Sequence, residues 1–120
     1  MTFSNTQNLV QAVSNSPETI EFNDVIALVD SVFAFTPTAF TNGDVTNEAN
    51  QNNGSCKLLA LGQHLKLNQA QTLALFGSFY REDVLKTPDG NDHANIRNFM
   101  KTGHEGVAFE TFPLVVVNAD

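Results

Sequence analysis

The amino-acid sequence predicts a mainly α fold, a small single domain of about five helices with a minor β-hairpin in an irregular, Asn-rich loop. Three observations predict it. Apolar residues recur at helical spacing in several segments, helix-capping residues precede those segments, and one Asn-Gly pair lies in a polar stretch without a helical stripe. The 120 residues, of which 42% are hydrophobic, suffice for one buried core.

Residues 1–16 are rich in Ser, Thr, Asn and Gln and have no charged side chain. Leu9, Val10 and Val13 give one apolar face to a short helix from about Thr6 to Ser14, which needs a surface to pack on. A polar, Ser-rich N-terminus is also compatible with a type III secretion signal. An ordinary N-terminal helix is the simpler interpretation. In both cases we expect the main domain to comprise residues 17–120.

The second helix is predicted to begin after the cap signal Ser16-Pro17-Glu18, at about residue 18 or 22, and to end near residue 34. Pro37 limits it, because proline biases the preceding residue away from the helical region. The predicted helix has an apolar stripe made of Phe22, Val25, Ile26, Val29, Val32 and Phe33.

Residues 35–55 are irregular and Asn-rich. The pair Asn42-Gly43, between Phe40-Thr41 and Asp44-Val45, is typical of a hairpin turn. A long irregular loop in a small domain is usually functional or a sign of an element that the pattern does not reveal. The next helix is predicted from about Cys56 to Leu65, with Ser55 as its N-cap.

Two further helices are predicted in the second half of the chain. Asn68 and Gln71 form a capping-box pattern before a helix over 69–81, and Asp92 is expected to cap a helix over 93–102 that ends at Gly103. The apolar and β-branched segment 106–117 predicts one or two short strands or an extended tail.

The net charge of −7 excludes some classes of partner. Residues 1–56 hold six acids and no Lys or Arg, so binding to nucleic acid or to an anionic membrane surface is disfavoured. No apolar run approaches the roughly 20 residues of a membrane span. A single cysteine indicates a reducing compartment, so we expect a cytoplasmic location. No metal-ligand or cofactor-binding pattern is present, and we expect neither a metal nor a cofactor.

Cys56 is one candidate for catalysis. At a helix start and beside Lys57, its thiol pKa would be lowered, and His93 with Asp44 or Glu48 could complete a Cys–His–carboxylate set. The alternative is that Cys56 is a small apolar core residue, which is the common role of a free cysteine.

His93 and Arg97 form a second candidate site. On a helix they are neighbours at i,i+4, and with Arg81 and Lys57 they could bind an anionic ligand. Equally, Arg97 could pair with Asp83 or Asp92 and join two helices.

Two long segments resemble the HopJ type III effector family: "FTPTAFTNGDVTNEANQNNGSCK" and "TLALFGSFYREDVLKTPDGNDHANIRNFMKTG". The resemblance covers about Phe22 to Phe109. The family pattern has tryptophan where His104 stands and glycine where Asn50 stands; Asn tolerates the left-handed conformation better than most residues.

The resemblance implies a cluster of polar positions and no particular reaction. We expect these residues to form either one hydrogen-bonded network or the lining of a pocket. They are Asn47, Glu48, Asn52, Ser55, Lys57, Arg81, His93, Asn95 and Arg97. The expected function is binding of a protein partner or a small molecule, in the cytoplasm or after type III secretion. A small enzyme that uses Cys56 or the His93/Arg97 pair is the alternative, and enzymatic activity is left open.

Overall fold

The structure is a computed structural model that describes residues 3–118. The described part contains α-helices α1 (Thr6–Asn15), α2 (Phe22–Val32), α3 (Asn53–His64), α4 (Gln69–Ala74) and α5 (Ala94–Thr102). It also contains two short 3-10 helices, Pro17–Thr19 and Gly103–Gly106, and a π-helical segment, Phe79–Val84. The prediction of about five helices is confirmed.

The β part is larger than the single hairpin that was predicted. Strand β1 (Phe33–Phe35) pairs antiparallel with β5 (Leu114–Val116). A second antiparallel sheet has the order β3-β2-β4, in which β2 is Phe40–Asn42, β3 is Val45–Asn47 and β4 is Val107–Phe109. The strands predicted in the segment 106–117 are therefore present, and each forms an edge strand of one of the two sheets.

The predicted hairpin is present, with its turn one residue later than expected. Asn42 pairs with Val45 in the ladder, so Gly43 and Asp44 form the turn. Gly43 has φ +59°, a value that glycine adopts without strain. Asn42 belongs to the strand, since it pairs with Val45 and Val107 in the two ladders. Its side chain is fully buried and hydrogen-bonded to Asn95.

Two predicted helix starts are wrong by one to three residues. Helix α3 begins at Asn53 with Asn52 as N-cap, and α5 begins at Ala94 with His93 as N-cap. Both N-cap residues are left-handed, with φ +53° for Asn52 and +51° for His93, and neither side chain caps its helix. Their side chains bond to other elements instead: Asn52 donates to Asn47, and His93 lies against Asp83.

The helix predicted over 69–81 is interrupted. The capping box of Asn68 and Gln71 is present, but α4 ends at Ala74. Gly77 has φ +60°, and a Cβ atom at this residue would lie 2.7 Å from the backbone nitrogen of Phe22. This close approach of two backbones turns the chain, which continues as the π-helical segment from Phe79.

The N-terminal helix belongs to the same core as the other elements. Helix α1 matches the helix predicted from Thr6 to Ser14, and its Leu9, Ala12 and Val13 are buried. They join a core that includes Ile20, which precedes α2, and residues of α2–α5 such as Leu58. Within residues 3–118 no helix combines the length and the apolar character needed to cross a bilayer.

Candidate functional site

A partly open cavity of about 440 Å³ lies where α3 and α5 begin. The start of α3 contributes Asn52, Gly54 and Ser55 to its lining, and the start of α5 contributes His93, Ala94, Asn95 and Ile96. The remaining lining residues are Phe22, Val45, Phe76 and Phe79. The lining therefore combines the starts of two helices with an aromatic side made of Phe22, Phe76 and Phe79, and the ring of Phe22 lies directly against Gly54 of α3.

Residues of the first turns of both helices line this cavity. The amides of the first turn of a helix have no partner within the helix, and neither α3 nor α5 has a side-chain cap that would accept from them. Ser55 occupies the third position of α3, directly before Cys56, whose amide donates to the carbonyl oxygen of Asn52 at 2.9 Å. The positive ends of both helix dipoles thus adjoin the same cavity.

The aromatic side is a continuous series of rings. The ring centroids of Phe76 and Phe22 are 6.3 Å apart, and those of Phe22 and Phe79 are 5.1 Å apart in an edge-to-face arrangement. The imidazole of His93 follows, with its centroid 5.3 Å from that of Phe79. These distances lie in the range of favourable aromatic pairs, so each ring supports the next.

Two carboxylates lie near the imidazole of His93. Its Nε2 lies 3.1 Å from Oδ2 of Asp83 and 3.9 Å from Oδ2 of Asp92. The side chain of His93 is 28% exposed, whereas the side chains of both acids are about half exposed. Among the described residues that line the cavity, His93 is present and neither of these acids is.

An asparagine cluster fixes the position of the two helix starts. Asn47 and Asn95 are 1% and 5% exposed, and Asn42 is fully buried. Asn95 accepts at Oδ1 from Asn42 and Asn47 at 3.1 and 3.2 Å, and it donates to Oδ1 of Asn47 at 3.0 Å. Asn52 donates to the same Asn47 oxygen at 2.7 Å. The cluster joins β2 and β3 to the starts of α3 and α5.

Cys56 does not have the surroundings of an activated thiol. It is 1% exposed, and burial raises its pKa from 9.0 to about 11. The predicted lowering of its pKa is wrong, because burial disfavours the charged thiolate; α3 also begins three residues before Cys56. In the described structure Cys56 is not among the residues that line the cavity with His93.

Lys57, Arg81 and Arg97 lie outside this cavity, each in an ion pair. Lys57 pairs with Asp30 at 2.9 Å and lies 5.0 Å above the ring of Phe35. Arg81 donates to the carbonyl oxygen of Ile20 and pairs with Glu21, both at 2.7 Å. These two side chains join α3 to α2 and the π-helical segment to the start of α2.

Arg97 connects α5 to the preceding turn. Its guanidinium donates to the backbone and the carboxylate of Asp92, both at 2.6 Å, and to the carbonyl oxygen of Thr87 at 2.8 Å. The ion pair with Arg97 lowers the pKa of Asp92. The structural alternative for Arg97, a pair with Asp92, is therefore the observed arrangement.

The other predicted polar residues have separate places. Glu48 is exposed, and its backbone amide donates to the side chain of Gln51. Asn50 is left-handed, with φ +70°. Nε2 of His104 lies 2.8 Å from the carbonyl oxygen of Leu67, away from the cavity. No group of three metal-ligating side chains occurs in residues 3–118.

Sequence reasoning missed the aromatic side of the cavity. Phe22 and Phe76 have the spacing of core residues, and nothing in the local sequence separates them from the other phenylalanines. Phe79 widens the buried apolar stripe of the helix predicted over 69–81, so the sequence indicated a core residue there. In the structure it is 39% exposed.

Comparisons with known proteins place the chain in a family. The family model described as HopJ type III effector protein matches residues 6–114. A solved crystal structure, that of unknown function protein VPA0580, has 51% sequence identity and a TM-score of 0.92, and the match covers 98% of this chain and 97% of that chain. No curated protein matches.

Proposed function

This chain belongs to the HopJ type III effector protein family, and we propose that it acts by binding a small organic anion in the cavity between the starts of α3 and α5. One observation carries the proposal: two helices, both without a side-chain cap, begin at the same cavity. First-turn amides and the positive ends of helix dipoles are a common protein environment for carboxylates and phosphates.

The charge of the lining supports an anion over a cation. The chain has 13 acidic residues, yet none of the described residues that line the cavity is Asp or Glu. Asp83, an acid that contacts the lining residue His93, is engaged with its Nε2. A bound anion would therefore meet amide N–H groups, the Ser55 hydroxyl and an imidazole, without a carboxylate in the lining to repel it.

The dimensions of the cavity support a small molecule over a macromolecule. Ligand sites in proteins are typically concave, about 300–1,000 Å³ in volume, and mostly apolar with a few directed polar groups. The volume of about 440 Å³ and the combination of phenylalanine rings with two helix starts match that description.

A charge substitution at Ser55 tests the proposal. Ser55→Asp places a carboxylate in the first turn of α3, where it favours the helix and repels an anionic ligand. Ser55→Asn is the matched neutral control. The probes are fragment-sized carboxylates, each paired with its neutral primary amide, and dissociation constants come from NMR shift titrations.

We expect the carboxylates to bind more tightly than their amides. Ser55→Asp should weaken carboxylate binding tenfold or more, in line with the repulsion of two close charges near a protein surface. Ser55→Asn removes the same hydroxyl without adding charge, so it should weaken carboxylate binding clearly less than Ser55→Asp does. Equal binding of acids and amides, or equal effects of the two variants, would contradict an anion site.

We also propose that the protein is delivered through a type III secretion system. Family membership and the uncharged, polar segment 1–16 support this proposal. A reporter fused to residues 1–16 should be exported by a strain with a working type III system and retained by an isogenic secretion-deficient strain. Equal retention in both strains would contradict a signal in this segment.

A further inference from the structure

We propose that the anion has a flat aromatic ring as its body and that Phe79 determines the preference for such a ring. This inference rests on the proposed function, because the anionic group of the ligand would be bound at the helix starts. It concerns the aromatic lining of the cavity and rests on the geometry of the rings there.

The rings that border the cavity are oriented in different ways. Phe76 and Phe22 are inclined by 31°, Phe22 and Phe79 by 77°, and Phe79 and His93 by 42°. The rings at the cavity therefore lie in different planes, and each aromatic ring has an electron-rich face and an electron-poor edge. A flat aromatic ligand can place its edge on one and its face on another, whereas a saturated ring has no such complementarity.

Phe79 differs from its neighbours in burial. Phe76 is 1% exposed and belongs to the core, whereas Phe79 is 39% exposed at the first residue of the π-helical segment. The turn at Gly77, fixed by close approach to the backbone of α2, places Phe79 over the ring of Phe22 and beside His93. Phe79 thus has an exposed ring held in place at the cavity and little role in filling the core.

A pair of acids with the same carbon skeleton tests this inference. The probes are 2-naphthoate and decahydro-2-naphthoate, each measured beside its neutral primary amide. The two acids differ in aromaticity and flatness but share the carboxylate. Their dissociation constants are measured with the full chain and with Phe79→Leu, Phe79→Tyr and Phe112→Leu. Phe112 is the control, because it is similarly exposed, at 41%, and is not among the residues that line the cavity. Thermal unfolding verifies that each variant is folded.

We expect the parent to bind 2-naphthoate about three- to tenfold more tightly than the saturated acid. This ratio corresponds to the free energy that an aromatic pair contributes in addition to the area that it buries. Phe79→Leu should abolish this preference, and Phe79→Tyr and Phe112→Leu should keep it. Equal binding of both acids by the parent, with their amides weaker, would overturn the ring inference and leave the anion site intact. If neither acid binds more tightly than its amide, the proposed function fails as well.

Discussion

The side chains of Asn47 and Asn95 form a reciprocal pair of hydrogen bonds in the interior. Nδ2 of Asn95 donates to Oδ1 of Asn47 at 3.0 Å, and Nδ2 of Asn47 donates to Oδ1 of Asn95 at 3.2 Å. The two residues are 48 positions apart in the chain. They connect β3 to the first turn of α5, and this connection holds one helix start at the cavity.

Asn95→Ala should lower the free energy of unfolding by about 2–4 kcal/mol, because it removes buried hydrogen bonds and leaves the amide of Asn47 short of partners. Urea denaturation measures the change. Asn98→Ala on the same helix is the control, since the amide of Asn98 bonds only to the preceding turn, at Ala94; its effect should stay below about 1 kcal/mol. Similar losses in both variants would mean that the Asn47–Asn95 pair contributes no more to the free energy of unfolding than the amide of Asn98 does.

Cys56 should make the stability pH-dependent in alkali. The unfolded chain loses the thiol proton near pH 9, whereas the folded chain retains it to about pH 11. The folded-state pKa is raised, so this contribution is complete below pH 9 and is lost as the pH rises to about 11. The loss should approach 3 kcal/mol, since one pKa unit corresponds to about 1.4 kcal/mol.

Urea denaturation at several pH values between 8 and 11, with Cys56→Ala as the reference, isolates the contribution of the thiol from those of Lys and Tyr. The parent should lose more stability over this range than the variant. Alkylation of Cys56 in the folded protein at pH 8 should be much slower than in the unfolded chain. Rapid labelling of the folded protein would contradict the buried thiol and return Cys56 to the candidates for catalysis.

Gly77→Ala should be one of the most destabilising glycine substitutions. The new Cβ would lie 2.7 Å from the backbone nitrogen of Phe22 and 2.9 Å from the backbone of Glu21 and Ile20, groups that cannot move independently. We expect a loss of about 3 kcal/mol or more in the free energy of unfolding, by strain plus steric overlap.

Gly103→Ala is the matched control, because Gly103 has nearly the same φ, +61°, and its nearest neighbour would be 3.6 Å from a Cβ. It should cost only backbone strain, roughly 1–3 kcal/mol, because its φ +61° and ψ −158° lie in a region that is almost exclusive to glycine. If the two variants unfold at the same urea concentration, the close approach of the backbone at Gly77 has no energetic role.

Leu9→Ala should test whether α1 is part of the domain. Leu9 is fully buried in the common core, so its truncation should cost about 2–5 kcal/mol. Gln7→Ala, at an exposed position of the same helix, should change the free energy of unfolding by less than about 0.5 kcal/mol. A small effect of Leu9→Ala on thermal or urea unfolding would indicate that α1 detaches without cost.

The elements of the fold that depend on local signals could be predicted from the sequence. The capping box of Asn68 and Gln71 begins α4 as expected, and the apolar stripe from Phe22 to Val32 forms α2. The C-terminal strands follow from their β-branched and aromatic composition. Caps and periodicities act between residues a few positions apart, so the sequence contains most of what determines them.

For the candidate site, the sequence by itself determined the composition of the polar positions, and the resemblance identified the family. Only the tertiary structure decided which of them meet. The side chains of Asn52 and His93, the N-cap residues of α3 and α5, bond to Asn47 and Asp83. The helix predicted over 69–81 is interrupted, and another backbone lies against Gly77 within that range. These outcomes depend on contacts between segments far apart in the chain, and no local pattern encodes such distances.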